Sequence, residues 1–392
     1  MKKNTLISTA GRNPKENNGF VNPPVYRGST ILSATLEEYK NKREKRWEIG
    51  NYTYGRQGTP THDSFEIAIS ALTGGDRSVA MSSGVAAINA ALLAFLKSGD
   101  HVLMVDTVYG PTRKFCDNFL ARFGVETTYY DPLIGKQISE LIKKNTKVVY
   151  TESPGSLTFE IQDIKEITDA AHKRGCVVII DDTWSSGIFF QPLQHGVDVS
   201  VIAATKYIVG HSDVMMGVIT TSHKHWKKVR ESAATIGANS SPDDVFLALR
   251  GLRTINLRMQ QHYENGMQLA KWLSQRPEVV TVMHPALPSH PNHGIWLRDF
   301  SGASGLFGIE LLNSYTEVSI ANMLDGLTFF GMGASWGGFE SLVLLTNPKK
   351  NRVATTQRWS NAGPILRLHA GLEDPEDLID DLERGFQRLN AG

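Results

Sequence analysis

The feature that most constrains this chain is an alternation that runs from about residue 61 to residue 220: short β-branched apolar runs take turns with longer stretches whose apolar residues recur at helical spacing. A helix is read over 61–72, with Phe65, Ile69 and Leu72 on one face and Gly74-Gly75 ending it. Strand 78–81, helix 85–96, strand 101–105, helix 112–123 and strand 125–129 follow. Then come strand 147–151, helix 163–174, strand 177–180, a strand running up to Lys206, and strand 216–220. Uniformly apolar strands separated by helices build a mostly parallel sheet covered on both faces. In such an α/β sheet, chemistry gathers at the carboxyl ends of the strands.

Outside that alternation the pattern changes. The first fifty-odd residues are polar and proline-bearing, which suits an extended arm laid over another surface. A long helical pattern over 242–273 leads into short strands (305–311, 366–369) mixed with amphipathic helices (317–324, 375–389), an α+β arrangement. The expected division is an arm over 1–57, a large domain over 58–250 and a smaller C-terminal domain over 251–392.

Two strand ends stand out. Val199-Ser-Val-Ile-Ala-Ala-Thr-Lys206 delivers a lysine off an apolar run into a turn that contains Gly210, and Val177-Val-Ile-Ile180 ends in Asp181. An amine and a carboxylate at one sheet edge are the pair that pyridoxal phosphate (PLP) needs, the amine to form a Schiff base and the carboxylate to keep the pyridine nitrogen protonated. The same residue types also merely solvate sheet edges.

Ala204-Thr-Lys-Tyr-Ile-Val-Gly-His-Ser-Asp213 resembles the PLP-lysine signature of the transsulfuration enzymes, the family of cystathionine lyases and synthases. The similarity continues in order from Pro23-Pro24 and Tyr54-Gly-Arg56 through Ser335-Trp-Gly-Gly-Phe-Glu-Ser341 to Arg367-Leu-His-Ala-Gly-Leu-Glu-Asp374. The resemblance implies the fold type I, aspartate-aminotransferase-like architecture of PLP enzymes. It also implies a homo-oligomer, expected to be a tetramer, whose active site is shared between two subunits.

Residue by residue, Lys206 is expected to carry PLP and to act as the general base, and Asp181 to face the ring nitrogen. Ser83-Gly84-Val85 opens a helix with small residues, as a phosphate at a helix start requires, and a plain N-cap reads the same way. The family implies a further phosphate contact from the Thr205 hydroxyl; where many members carry serine three residues before the lysine, this chain has Ala203. It also implies that Tyr109 stacks on the ring and exchanges a proton with the substrate amine, and that Tyr54 and Arg56 reach the phosphate of the neighbouring subunit.

Arg367 sits inside the strand-like Ile365-Leu-Arg-Leu-His369, where a charge needs a partner. A structural salt bridge is one reading, and the family implies a bidentate grip on the substrate carboxylate, with Ser335 and Trp336 closing the same pocket. Ser335-Trp336 resembles the β-cleaving members, whereas γ-cleaving members show Glu-Ser-Leu; here Ala334 stands in place of that Glu. The expected activity is therefore β-elimination of cystathionine, or of another cysteine S-conjugate, in methionine biosynthesis. The alternatives are γ-cleavage, a homoserine-derived sulfhydrylase, and a PLP-fold protein that binds without turnover.

Composition narrows the partners. With 41 Lys and Arg against 40 Asp and Glu, the net charge of +1 gives no field for nucleic acid or acidic membranes. The basic run over 40–46 is interrupted by Glu44 and reads as a solvated surface. The longest apolar window, 85–96, falls short of the roughly 20 residues that span a bilayer. The N-terminus has no apolar stretch of signal-peptide length, so the expectation is a cytoplasmic protein. Cys116 and Cys176 lack C-x-x-C spacing, and His284, His290 and His293 lie in a proline-rich loop without an intervening carboxylate, so no metal is expected.

Overall fold

The computed structural model describes residues 1–391, which build two sheets. The larger contains β1 (Arg77–Met81), β2 (His101–Val105), β3 (Glu126–Tyr130), β4 (Thr146–Glu152), β5 (Val177–Asp181), β6 (Val199–Ile202) and β7 (Gly217–Thr221), in the order β1-β7-β6-β5-β4-β2-β3. All neighbours are parallel except those involving β7, which runs against both β1 and β6. This is the expected doubly covered sheet. Helices Pro60–Thr73, Gly84–Phe95 and His223–Thr235, among others, bury its faces, and β2, β6 and β7 are buried along their whole length.

The smaller sheet comprises β8 (Val279–Met283), β9 (Leu306–Leu311), β10 (Leu342–Thr346) and β11 (Ile365–His369), all antiparallel in the order β10-β11-β9-β8. Its core is closed by helices Glu317–Asp325 and Pro375–Ala391, through Ile320, Met323, Leu382 and Phe386.

Several sequence expectations need correction. The helix read over 112–123 is an α-turn (Gly110–Lys114), a π-helical turn (Phe115–Phe119) and a 3-10 turn (Leu120–Phe123), so helical apolar spacing survives while the hydrogen-bond period changes twice. The pattern over 242–273 is two helices, Pro242–Leu252 and Ile255–Leu273, broken at Arg253-Thr254. The N-terminal arm is not wholly extended: Lys3–Thr9 and Leu36–Glu44 are helical, the second capped by the Thr35 side chain. β8 and β10 were not anticipated.

Candidate active site

The carboxyl ends of β6, β5 and β4 and the loop after β2 meet at one side of the large sheet, around a cavity of 350 Å³. Lys206, Asp181, Tyr109, Ser83, Gly84, Val85, Thr205, Trp336 and Arg367 all border it. The structure thus gathers residues spread over nearly 300 positions of sequence.

Lys206 follows β6 in a tight turn in which the Gly210 N–H returns to the Lys206 carbonyl at 2.8 Å. Gly210 has φ +71°, and a Cβ there would collide with the Arg258 guanidinium, so glycine is required. The Lys206 ammonium donates to Ser335 Oγ at 2.5 Å and lies 5.2 Å from the centre of the Trp336 ring. Burial, and secondarily the Arg367 charge, lower its pKa from 10.5 to about 8, with Asp181 opposing them. Ser335 itself has φ +96°, a conformation that costs a non-glycine residue about 1–3 kcal/mol and is held by its contacts to Lys206 and Arg367.

Asp181 ends β5, and its Oδ1 accepts from the Thr183 N–H at 3.0 Å and the Thr183 hydroxyl at 2.5 Å. Among the described residues nothing donates to Oδ2. Burial raises the Asp181 pKa, Thr183 and Lys206 working against it. A carboxylate with one oxygen pinned and the other free beside a cavity suits a cationic ring N–H, whose charge would offset the burial.

The helix Gly84–Phe95 starts at the cavity with Ser83 as N-cap. The Ser83 hydroxyl accepts from the Ala86 N–H at 3.1 Å, and among the described residues the N–H groups of Gly84 and Val85 have no acceptor. Gly84 is dictated by contact, since a Cβ would lie 2.6 Å from Ala203 Cβ. Two free N–H groups at the positive end of a helix fit a phosphate. The Thr205 hydroxyl donates to the Met216 carbonyl at 3.0 Å and accepts from its N–H at 2.9 Å, so its single proton is already engaged.

Arg367, at the centre of β11, donates to the Ser335 carbonyl at 2.9 Å and makes no ion pair among the described residues. Burial lowers its pKa. Among the described residues the structural salt bridge is therefore absent, and a partly desolvated guanidinium faces the cavity with donors to spare. Tyr109 is 41% exposed there, and its pKa is raised by burial, then by Asp181 and Glu152. Tyr54 and Arg56 lie elsewhere on the chain. Arg56 donates to the Ala234 carbonyl at 2.8 Å and Tyr54 is 46% exposed, and neither borders this cavity.

Three further residues shape the cavity. Glu152 ends β4 directly opposite Asp181 in register and accepts from the Tyr109 N–H at 2.7 Å; burial and Asp181 push its pKa well up. Arg352 reaches in from the connection between β10 and β11, clamping the carbonyls of Asp106 and Ser156. Asp106 fixes that connection, accepting from the N–H groups of Val353 and Thr355, the Thr355 hydroxyl and Arg113. Glu152 and Asp106 are carboxylates at strand ends, the signal that singled out Asp181. Arg352 carries no local signal.

A model of the family described as Cys/Met metabolism PLP-dependent enzyme matches residues 4–387. A putative cystathionine beta-lyase of Rhizobium johnstonii is 46% identical over 99% of this chain and 96% of its own length. The cystathionine beta-lyase of Escherichia coli is 41% identical over 99% of each chain. Among solved structures, cystathionine gamma-lyase from Lactobacillus plantarum, complexed with L-serine, superposes with a TM-score of 0.90 at 28% identity, covering 100% of both chains.

Proposed function

Since the chain belongs to the PLP-dependent enzymes of cysteine and methionine metabolism, we propose that this cavity cleaves the Cβ–S bond of L-cystathionine, releasing homocysteine and a three-carbon enamine that one water hydrolyses to pyruvate and ammonia. The observation that carries the proposal is the convergence in one cavity of the Lys206 amine, the free Asp181 oxygen, the free Gly84 and Val85 N–H groups and the unpaired Arg367. Lys206 is the amine to which PLP would attach, Asp181 would hold the proton of the ring nitrogen, and the Gly84 and Val85 N–H groups would bind the phosphate. When bound, PLP supplies an electron sink that makes the Cα proton of an amino acid acidic.

The protein's own groups do the rest. Arg367 binds the substrate α-carboxylate through its planar fork and fixes the Cα–H direction. The Lys206 Nζ is the base that would take the Cα proton. Its pKa of about 8 keeps a useful neutral fraction near neutral pH, and the resulting ammonium then protonates the departing sulfur. Ser335 Oγ holds Nζ on the Trp336 side of the cavity, and Tyr109, which lines the same cavity, would exchange a proton with the substrate amine. Trp336, in the position where γ-cleaving members carry leucine, supports β over γ cleavage. It narrows the wall beside Lys206 and rests on the fully buried Tyr207, with ring centres 5.4 Å apart.

Tyr54 and Arg56 complete the phosphate site of a second copy of the chain, consistent with their distance from this chain's own cavity, in an oligomer we take to be a tetramer. The arm over 1–57 supplies that contact, and 58–250 and 251–392 form the large and small domains. Among the described residues no helix is long and apolar enough to cross a membrane, and we place the enzyme in the cytoplasm. The deciding experiment incubates the PLP-loaded protein with L-cystathionine and separates the products. Pyruvate with homocysteine is expected; 2-oxobutyrate with cysteine would establish γ cleavage, and no turnover would leave a binding protein.

A further inference from the structure

The stretch Ser335-Trp336-Gly337 walls the active cavity beside Lys206 in a backbone conformation that needs holding. Ser335 and Gly337 have φ +96° and +87°. Gly337 lies directly on the lysine's main chain, where an added Cβ would stand 3.0 Å from Lys206 Cα. Two tethers on this stretch are Lys206 Nζ, donating to Ser335 Oγ, and Arg367 Nη2, donating to the Ser335 carbonyl. Both are groups that the proposed reaction itself employs, Lys206 at the cofactor and Arg367 at the substrate carboxylate.

A third tether is His369, which does not border the cavity. It ends β11, with Leu342 and Leu306 opposite it in register on the two flanking strands. Arg367 and His369, two residues apart, share one face of β11 and meet Ser335 and Gly337, likewise two apart. The Gly337 N–H reaches His369 Nε2 at 3.1 Å, and the Gly338 carbonyl lies 3.2 Å from the same nitrogen. One tautomer accepts from the N–H and the other donates to the carbonyl. An unpaired buried N–H is rarer than an under-satisfied carbonyl, so Nε2 accepts and the proton sits on Nδ1, 3.5 Å from the Tyr207 hydroxyl. The ring is 1% exposed, and burial holds its pKa well below the ordinary value, which keeps that nitrogen an acceptor near neutral pH. His369 also backs Tyr207, the ring on which Trp336 rests, with ring centres 5.8 Å apart.

We propose that His369 is a positioning residue for substrate recognition: by holding the Gly337 N–H and backing Tyr207, it keeps Trp336 in the wall beside Lys206. Of the three tethers it is the one with no task in the reaction. The assignment rests on reading this cavity as the site of elimination.

The test compares His369→Gln, whose amide oxygen reaches the place of Nε2, with His369→Asn, whose amide reaches only that of Nδ1. In the PLP-loaded enzyme His369→Asn should lower kcat/KM for cystathionine at least about fivefold, the effect of a buried N–H left without a partner. His369→Gln should stay within about twofold of the unsubstituted enzyme. With Trp336→Ala also present, the factor lost on His369→Asn should be at least about twofold smaller, because the side chain being positioned is gone. Hydrogen exchange of the apoprotein, read at the Gly337 amide by mass spectrometry with fragmentation, needs no turnover. That amide should be protected in the unsubstituted protein and in His369→Gln, and should exchange at least about tenfold faster in His369→Asn. Free-chain exchange at Gly337 in the unsubstituted protein would overturn the proposal by itself, even if His369→Asn folds poorly. So would equal kcat/KM for the Asn and Gln variants, or the same factor lost with and without Trp336→Ala, which is what a merely structural role gives. If the unsubstituted enzyme turns over no cystathionine, the elimination reading fails with it the recognition role, whereas the exchange result still shows whether the tether exists.

Discussion

Arg367→Lys separates the proposed carboxylate grip from a structural role. Among the described residues the guanidinium makes one hydrogen bond, to the Ser335 carbonyl at 2.9 Å, and no ion pair. Lysine keeps the charge but has no planar fork, so one of two parallel bonds to a carboxylate is lost. A charge-assisted hydrogen bond contributes about 1.5–3 kcal/mol, which lowers kcat/KM roughly ten- to 150-fold. Stability should barely respond. What the fold loses is one bond to a neutral carbonyl, about 1 kcal/mol, or a few degrees at most in the melting midpoint of a chain this size. Steady-state kinetics with cystathionine, the visible spectrum of bound PLP and a thermal melt read the three consequences separately. If kcat/KM stays within about twofold while the midpoint falls steeply, Arg367 is a structural residue and the reasoning is refuted.

Lys206→Met should abolish PLP attachment, seen as loss of the visible band, and should also stabilise the apoprotein at pH 7. A pKa moved from 10.5 to about 8 corresponds, at about 1.4 kcal/mol per unit, to about 3 kcal/mol. Below pH 8 the buried ammonium imposes that whole penalty. Between pH 8 and 10.5 the unfolded chain binds more protons, so wild-type stability rises and the variant's advantage fades; parallel urea titrations at pH 7 and pH 10 check it. Gly84→Ala places a Cβ 2.6 Å from Ala203 Cβ, so overpacking of about 1–3 kcal/mol should outweigh alanine's helix preference of about 1 kcal/mol. The helix start should shift and PLP affinity fall at least about tenfold, measured by titrating apoprotein with PLP. Asp106→Asn leaves the buried Arg113 without its anion, predicting a loss of about 3–5 kcal/mol in denaturant unfolding. Burial opposes the donors around Asp106, but its carboxyl remains below the ordinary value, so the wild type should keep this contribution above about pH 4 and lose it as pH falls further.

The large sheet was legible because its strands carry their own signal. Val177–Asp181 and Val199–Ile202 are apolar on both faces, which only a sheet covered on both sides accommodates, and the strand-end rule led directly to Asp181 and Lys206. The small sheet was less legible because half of β8 faces solvent, with Val280 at 54% exposure, and β10 is only partly buried. Neither strand shows the continuous apolar run that marks a central one. The helix read over 112–123 failed differently: apolar spacing alone cannot distinguish α, π and 3-10 hydrogen bonding over so short a stretch.

The site itself divides along a physical line between residues placed by their own strand and residues placed by a distant one. Asp181 and Glu152 end adjacent parallel strands and Lys206 lies in the turn after the next, so their convergence follows from strand order, and the rule applied to Asp181 also finds Glu152 when applied to β4. Arg352 enters the same cavity only because Asp106, 246 residues earlier, gathers the N–H groups of Val353 and Thr355 at the end of the β2 strand. Nothing near residue 352 encodes that destination. The information sits in a buried carboxylate that must find donors, and the donors it finds belong to the connection between β10 and β11. One consequence is that the active-site wall joins the two sheets: Asp106, Ser156 and Thr158 from the large-sheet region hold the Arg352–Thr355 segment that follows β10. Pro348 and Arg352 line the cavity; if the far end of a two-ended substrate rests on them, loosening that junction at Asp106 should raise KM for cystathionine more than for a short cysteine conjugate. Equal effects on both substrates would mean that the wall supports the fold without sensing substrate length.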